Sequence, residues 1–183
     1  MADLLAQIEA GQLAPVYFLC GESFPLERAA RAIRTAVVGG DGASLNLDAL
    51  QAGEHDVDSV LAAARTVPMF GARRLVQVRE VHRWSAKELA RLVPYVRDPA
   101  PHSCLLLLAE KADMRTKAMA EIKRHGVVER FEPLKERAAL RWLAQEARRR
   151  SIELRPGAAE RIVDAVGADM GQLASALERL SLY

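Results

Sequence analysis

The segment around Gly21 could bind phosphate, because an apolar strand pattern ends there and a helical pattern follows. A phosphate-binding loop of the form GxxxxGK[ST] would lie here, with Gly21 as its first glycine. In that register Leu26 replaces the second glycine, Glu27 the lysine and Arg28 the hydroxyl that binds magnesium. A β-carbon would hold the backbone away from phosphate, and a carboxylate would repel it. We interpret these four residues as a degenerate nucleotide site without tight ATP binding.

The sequence indicates no other catalytic or metal-binding arrangement. Four scattered histidines lack the spacing of metal ligands, and no serine lies in a GxSxG motif. Glu110 alone follows an apolar segment where nucleotide hydrolases carry paired carboxylates. Cys20 and Cys104 lie inside apolar segments, which predicts buried, reduced thiols. We therefore expect no intrinsic catalysis, no cofactor and no metal ion.

A hydrophobic loop at residues 67–72 is the stronger functional candidate. Pro68 keeps Val67 out of helical geometry, and Gly71 permits a tight turn. Met69 and Phe70 are therefore predicted at the apex of a helix-to-strand connection. One interpretation packs both side chains on the core. The other inserts them, flanked by Val67 and Pro68, into an apolar pocket of another protein.

The elements that position these residues alternate between strands and helices up to about residue 135. Strands are predicted near 15–20, 45–50, 73–79, 103–109 and 127–131. Ser23 is expected to cap the helix after the first strand, and Ser85 with Glu88 forms a capping box. This alternation predicts an α/β fold, a parallel sheet with helices on both faces.

Only helical patterns follow, and one of those helices is expected to carry Pro156 in its first turn. The sequence therefore predicts an α/β domain at 1–135 and a small all-α domain at 136–183.

Composition and charge restrict the class of protein further. Of 183 residues, 50% are hydrophobic and 27% charged, which excludes disordered and low-complexity classes. No apolar segment approaches the roughly 20 residues that a membrane helix needs, so we expect a soluble, cytoplasmic protein. Residues 1–64 carry a net charge of −6, whereas residues 135–161 hold eight Lys or Arg and four Glu.

Two alternatives to partner binding stay open at this point. One is a nucleotide-dependent enzyme of the P-loop type with an eroded motif. The other is a nucleic-acid-binding module that uses the basic stretch at 135–161, with Trp142 as a stacking residue.

Three segments carry a resemblance to a known family: residues 13–22 (LAPVYFLCGE), 64–76 (ARTVPMFGARRLV) and 177–183 (LERLSLY). In this order, over nearly the whole chain, the sequence resembles the delta subunit of the bacterial DNA polymerase III clamp loader. The resemblance implies a P-loop NTPase or AAA+-like first domain without a working ATP site, followed by a helical domain. It also implies that the protein binds and helps open the sliding clamp, the beta subunit, during DNA replication.

The resemblance places the clamp-binding hydrophobic pair at Met69 and Phe70, with Val67 and Pro68 as flanking contacts. Methionine stands where the family often has leucine, which preserves size and apolarity. Family members continue beyond the position of Tyr183 into a collar domain that meets the other loader subunits, so we expect this chain to be a fragment that lacks it. ATP hydrolysis and the polymerase's nucleotidyl transfer would belong to other subunits. DNA would be an indirect partner, and no membrane contact is expected.

Overall fold

The computed structural model of the chain describes residues 2–39, 43–69, 71 and 73–181. Contacts divide the chain into two compact units between Phe131 and Glu132, whereas the sequence pattern placed the boundary near residue 135. In the part of the chain described, no helix combines the length and the apolar character needed to cross a membrane.

The first unit is built on a five-stranded sheet. Its strands are β1 (Val16–Gly21), β2 (Leu47–Gln51), β3 (Arg74–Arg79), β4 (Ser103–Ala109) and β5 (Val127–Phe131). They lie in the order β2-β3-β4-β1-β5, and every pairing is parallel. All seven residues of β4 are buried, as the unbroken apolar segment predicts for a central strand covered on both faces.

Helices cover both faces of the sheet, which confirms the predicted α/β class. They are α1 (Ala2–Glu9), α2 (Ser23–Val38), α3 (Val57–Arg65), α4 (Ala86–Ala90), α5 (Val93–Arg97) and α6 (Lys117–His125). Tyr17 and Leu19 pack with α1 and α2 in one core cluster. Val16 and Phe18 point to the opposite face, where they join the cluster formed with α3, α5 and α6.

The helix ends show which local predictions succeed. The capping box is present: the Ser85 hydroxyl accepts a hydrogen bond from the Glu88 amide, and the Glu88 carboxylate accepts one from the Ser85 amide. The prediction that Ser23 caps α2 is wrong, because Ser23 is already helical and Glu22 occupies the N-cap. The helix that begins at the capping box is interrupted between α4 and α5, since Pro94 has no amide hydrogen to continue the ladder.

The second unit is helical. It contains α7 (Glu136–Arg149), α8 (Ala158–Val166) and α9 (Met170–Leu180), which enclose their own core around Leu143, Leu173 and Leu177. Pro156 lies two residues before α8 rather than in its first turn, and Gly157, with φ of 75°, occupies the N-cap. This position suits glycine, because other residues rarely adopt positive φ.

Candidate functional site

The two candidate sites lie at opposite edges of the sheet. Because the strands are parallel, β1, β3 and β4 all end at one edge, which carries the residues of the degenerate nucleotide motif. The loop that leads from α3 into β3 lies at the other edge, where the same strands begin. The length of the strands therefore separates the loop from the degenerate nucleotide motif.

At the carboxyl edge, the connection is too short for a phosphate-binding loop. Strand β1 ends at Gly21 and α2 begins at Ser23, so Glu22 alone separates them. Leu26, Glu27 and Arg28 are then part of the helix, whereas a phosphate loop needs several free backbone amides between strand and helix. Leu26 is 6% exposed and packs in the core between the sheet and α2.

Gly21 has a structural reason to be glycine. Its φ is 111°, and a β-carbon built on it would lie 2.0 Å from the Phe131 carbonyl oxygen at the end of β5. The same carbonyl accepts a hydrogen bond of 2.9 Å from the Glu22 amide. The close pairing of β1 with β5 therefore explains this glycine without any phosphate ligand.

An ion pair stands where a phosphate would be bound. The Arg79 guanidinium donates two hydrogen bonds, of 2.6 and 2.7 Å, to the Glu27 carboxylate. This hydrogen bonding holds the pKa of Glu27 below its ordinary value, although partial burial acts in the opposite direction. Both residues line a cavity of about 250 Å³ together with Gly21 and Leu26, and Arg28 is not among its lining residues. The position of the motif's lysine thus holds an ionised carboxylate that is already paired with a cation.

At the amino edge, two hydrogen bonds hold Thr66 at the start of the loop after α3. The Thr66 amide donates to the Ala63 carbonyl at 3.1 Å, and the Thr66 hydroxyl donates to the Ala62 carbonyl at 2.9 Å. Thr66 itself is extended and ends the helix. The chain therefore leaves α3 in a direction set by these bonds before the hydrophobic residues begin.

The hydrophobic residues of this loop are exposed. Val67 is 67% and Met69 69% exposed, while Pro68 is half-buried. Phe70 lies outside the described residues. Gly71 has φ of 77°, which is the conformation that the predicted tight turn requires. For Met69, exposure excludes the interpretation that the side chain packs on the core.

One buried polar residue supports the loop, and the sequence pattern gave it no such role. The Asn46 side-chain oxygen accepts a hydrogen bond of 2.9 Å from the Met69 amide, and Asn46 is only 5% exposed. The pattern at 45–50 predicted a strand, but Ala43–Asn46 forms a short 3₁₀ helix and β2 begins at Leu47. The signal available was an asparagine at the predicted start of a strand, a residue type that strands disfavour.

The basic stretch of the second unit is partly neutralised. Glu146 is 3% exposed and accepts hydrogen bonds from Arg149, at 3.0 and 2.5 Å, and from Arg150, at 2.9 Å. Trp142 is half-buried and packs against the core of its own unit. Two of the eight cations and the proposed stacking residue therefore have structural roles, which weakens the case for a nucleic-acid-binding surface.

The cysteines are free and buried, as predicted. Burial raises the pKa of the Cys104 thiol to about 12 and also raises the pKa of Cys20, so both stay protonated. In the ranges that the structure covers, no group of three or more His, Cys, Asp or Glu side chains is arranged to hold a metal ion.

A larger cavity of about 570 Å³ lies beside the 3₁₀ helix Val81–Arg83. Phe18, Trp84 and Met119 form apolar parts of its wall, and Lys111 and Arg115 lie among its polar lining residues. Among the described residues, none of those predicted as functional from the sequence lines this cavity.

Comparison with known proteins gives a consistent result. A profile of the family described as DNA polymerase III, delta subunit, matches residues 17–132. DNA polymerase III subunit delta of Bacillus subtilis (strain 168) is 26% identical over 192 residues, a match covering 99% of this chain and 55% of that protein. The solved structure of the Bacillus subtilis DNA clamp loader delta protein matches with a TM-score of 0.81 and 27% identity, covering 98% of this chain and 56% of that one.

More distant structures share the fold alone. A single-residue variant of RuvB from Thermotoga maritima matches with a TM-score of 0.59 and 14% identity over 97% of this chain and 58% of that one. A DNA polymerase III gamma subunit-related protein of the same organism gives 0.57 and 13%, with 97% and 57% covered. The chain spans about half the length of the delta proteins that it matches.

Proposed function

Since the chain belongs to the family of DNA polymerase III delta subunits, we propose that it binds the sliding clamp of DNA replication and helps to open that ring. The proposed contacts are Met69 and Phe70 as the inserted pair, with Val67 and Pro68 beside them. The observation that carries this proposal is the 69% exposure of Met69 in a loop whose backbone amides are hydrogen-bonded at Thr66 and at Met69, on both sides of Val67 and Pro68. Large apolar side chains held in exposed loops are typical anchors of protein interfaces.

The part of the loop from Thr66 to Met69 favours tight binding, because hydrogen bonds already hold both of its ends. The backbone is bonded at Thr66 and at Met69, and the chain re-enters the sheet where the Arg74 amide donates to the His102 carbonyl at 2.8 Å. A loop held in its bound conformation loses less entropy when the partner arrives. The α/β unit supports the inserted side chains of Met69 and Phe70. Binding then favours the clamp conformation whose pocket accepts these side chains better.

We assign no ATPase activity to this chain. The short connection between β1 and α2 and the Glu27–Arg79 ion pair support this assignment. ATP hydrolysis would come from other subunits of the loader, and nucleotidyl transfer from the polymerase. The related delta proteins are almost twice as long. We propose that contacts with the other loader subunits belong to a collar domain in the part of these longer proteins that this chain does not match.

The proposed lack of nucleotide binding gives a direct expectation. Equilibrium dialysis of the chain against radiolabelled ATP with Mg²⁺ should show no saturable binding at millimolar nucleotide. The reason is that neither the backbone cradle nor the lysine of the phosphate motif is present. Saturable ATP binding by the wild type, with an affinity that changes in Glu27→Lys or Arg79→Glu, would instead support the alternative of a nucleotide-dependent enzyme.

Clamp binding is tested by replacing Met69 and, as a control, a second exposed methionine. Met69→Ala should weaken binding to the purified sliding clamp by about thirtyfold, since removal of such an anchor costs about 2 kcal/mol. Met114→Ala is the matched control, because Met114 is also exposed and lies in a different loop of the same unit. Surface plasmon resonance with immobilised clamp measures both. Equal affinities of the two variants would remove the loop from the interface.

A further inference from the structure

We propose that the clamp-docking surface has a second segment, in which Leu45 contacts the partner and Asn46 positions Met69. This inference rests on the proposed function and names residues that the sequence pattern had assigned to a strand. In the residues that the structure covers, five large hydrophobic side chains are exposed: Leu45, Val67, Met69, Met114 and Leu180.

Three of these five belong to segments that enter neighbouring strands at the amino edge of the sheet. Leu45 immediately precedes the entry to β2, whereas Val67 and Met69 precede the entry to β3. In the parallel pairing of β2 with β3, Leu47 lies beside Leu75. The two strands therefore begin side by side, so the ends of the two entry segments are neighbours at this edge of the sheet.

A hydrogen bond joins the two segments directly. The Asn46 side-chain oxygen lies 2.9 Å from the Met69 amide nitrogen, although 23 residues separate them in sequence. Consecutive α-carbons are about 3.8 Å apart, so the backbone of Leu45 lies next to this junction. Further into the sheet, the Arg74 guanidinium donates to the Asp48 carboxylate at 2.6 Å. The two segments that carry Leu45 and Met69 are thus joined by the side chain of Asn46.

The two residues of the segment have different roles. Leu45 is 50% exposed, so its side chain is available to a partner. Asn46 is 5% exposed, so it has little surface for a partner to contact. Its side-chain oxygen accepts the hydrogen bond of the Met69 amide and so fixes the position of the Met69 backbone. Asn46 is therefore a positioning residue. Loss of its acceptor would leave that amide without this bond and allow the loop more conformations.

The contact role is tested with two leucines. Leu45→Ala should weaken binding of the purified sliding clamp by about fivefold to tenfold, as expected for a secondary contact beside a stronger anchor. Leu180→Ala is the matched control, because Leu180 is 46% exposed and lies on α9 in the other unit. We expect its affinity to equal that of the wild type.

The positioning role is tested with two substitutions of Asn46. Asn46→Ala should weaken clamp binding by about tenfold through faster dissociation, because the anchor is no longer held in place. Asn46→Asp keeps an oxygen acceptor but buries a charge at a site that is 5% exposed, so it should bind the clamp more tightly than Asn46→Ala and less tightly than the wild type. Urea unfolding of each variant shows whether the fold is retained. A lower clamp affinity is attributed to the loop only for variants that unfold as cooperatively as the wild type.

The outcomes separate this inference from the function on which it rests. If Met69→Ala weakens binding while Leu45→Ala and Asn46→Ala bind as the wild type does, the second segment is wrong and the proposed function stands. If Met69→Ala binds with full affinity, the loop is not the docking site and this inference is wrong, although the chain still binds the clamp. If the wild type itself does not bind the clamp, the proposed function is wrong. Weakened binding by Leu45→Ala and Leu180→Ala alike would also contradict the inference, since the effect would not be specific to the amino edge.

Discussion

Replacement of Met69 and Phe70 together by alanine is expected to weaken binding of the sliding clamp by about a thousandfold. Each anchor is worth about 2 kcal/mol when it is buried in a partner pocket, and a combined value of about 4 kcal/mol corresponds to roughly three orders of magnitude. The methionine is 69% exposed in the free chain, so most of its apolar surface is available for burial. Isothermal titration of clamp with each protein measures the loss.

The salt dependence of clamp affinity distinguishes binding through Met69 and Phe70 from binding through the basic stretch at 135–161. Burial of apolar side chains depends weakly on ionic strength, whereas binding through several Lys and Arg falls steeply as salt increases. The wild type should therefore keep most of its clamp affinity between low and moderate salt. The double substitution Met114→Ala/Leu180→Ala is the control for removal of exposed apolar surface outside the loop. If the Met69/Phe70 variant bound with undiminished affinity, the assignment of this loop would be wrong.

The central strands were predictable from the sequence because burial on both faces demands an unbroken apolar segment. Residues 103–109 are such a segment, and all seven are buried in β4. Local hydrogen-bonding signals were equally readable, as the Ser85–Glu88 capping box shows. The predicted α/β class and the resemblance to the delta family follow from features of this local kind, and both are confirmed.

Features that depend on contacts between distant residues could not be predicted in the same way. The order of the strands places β1 between β4 and β5, and no property of β1 alone specifies these neighbours. The exposure of Met69 was undecided, because a methionine in a loop fits both a core and an interface. Asn46 acquires its role only when a residue 23 positions away reaches it. Sequence patterns report the periodicity of each element, but not which elements meet.

Gly21 illustrates how a distant contact changes the meaning of a residue. The sequence suggested the first glycine of an eroded phosphate loop, whereas the structure places the Phe131 carbonyl where its β-carbon would be. Gly21→Ala should therefore lower the free energy of unfolding of the α/β unit by about 3 kcal/mol or more. The reason is that β1 and β5 would have to separate, and the positive φ adds backbone strain. Urea unfolding followed by circular dichroism measures this loss.

Gly11→Ala provides the matched control for that substitution. Gly11 also has positive φ, of 74°, but a β-carbon there meets no atom within 4 Å. Its replacement should cost only the conformational penalty of about 1 to 2 kcal/mol. Equal losses for the two variants would mean that conformation alone requires glycine at position 21. If instead Gly21→Ala left stability intact but abolished a measurable affinity for ATP, the glycine would belong to a working nucleotide site. A larger loss of stability for Gly21→Ala than for Gly11→Ala, with no affinity for ATP in the wild type or the variant, would show that β5 needs glycine at position 21 to pair with β1.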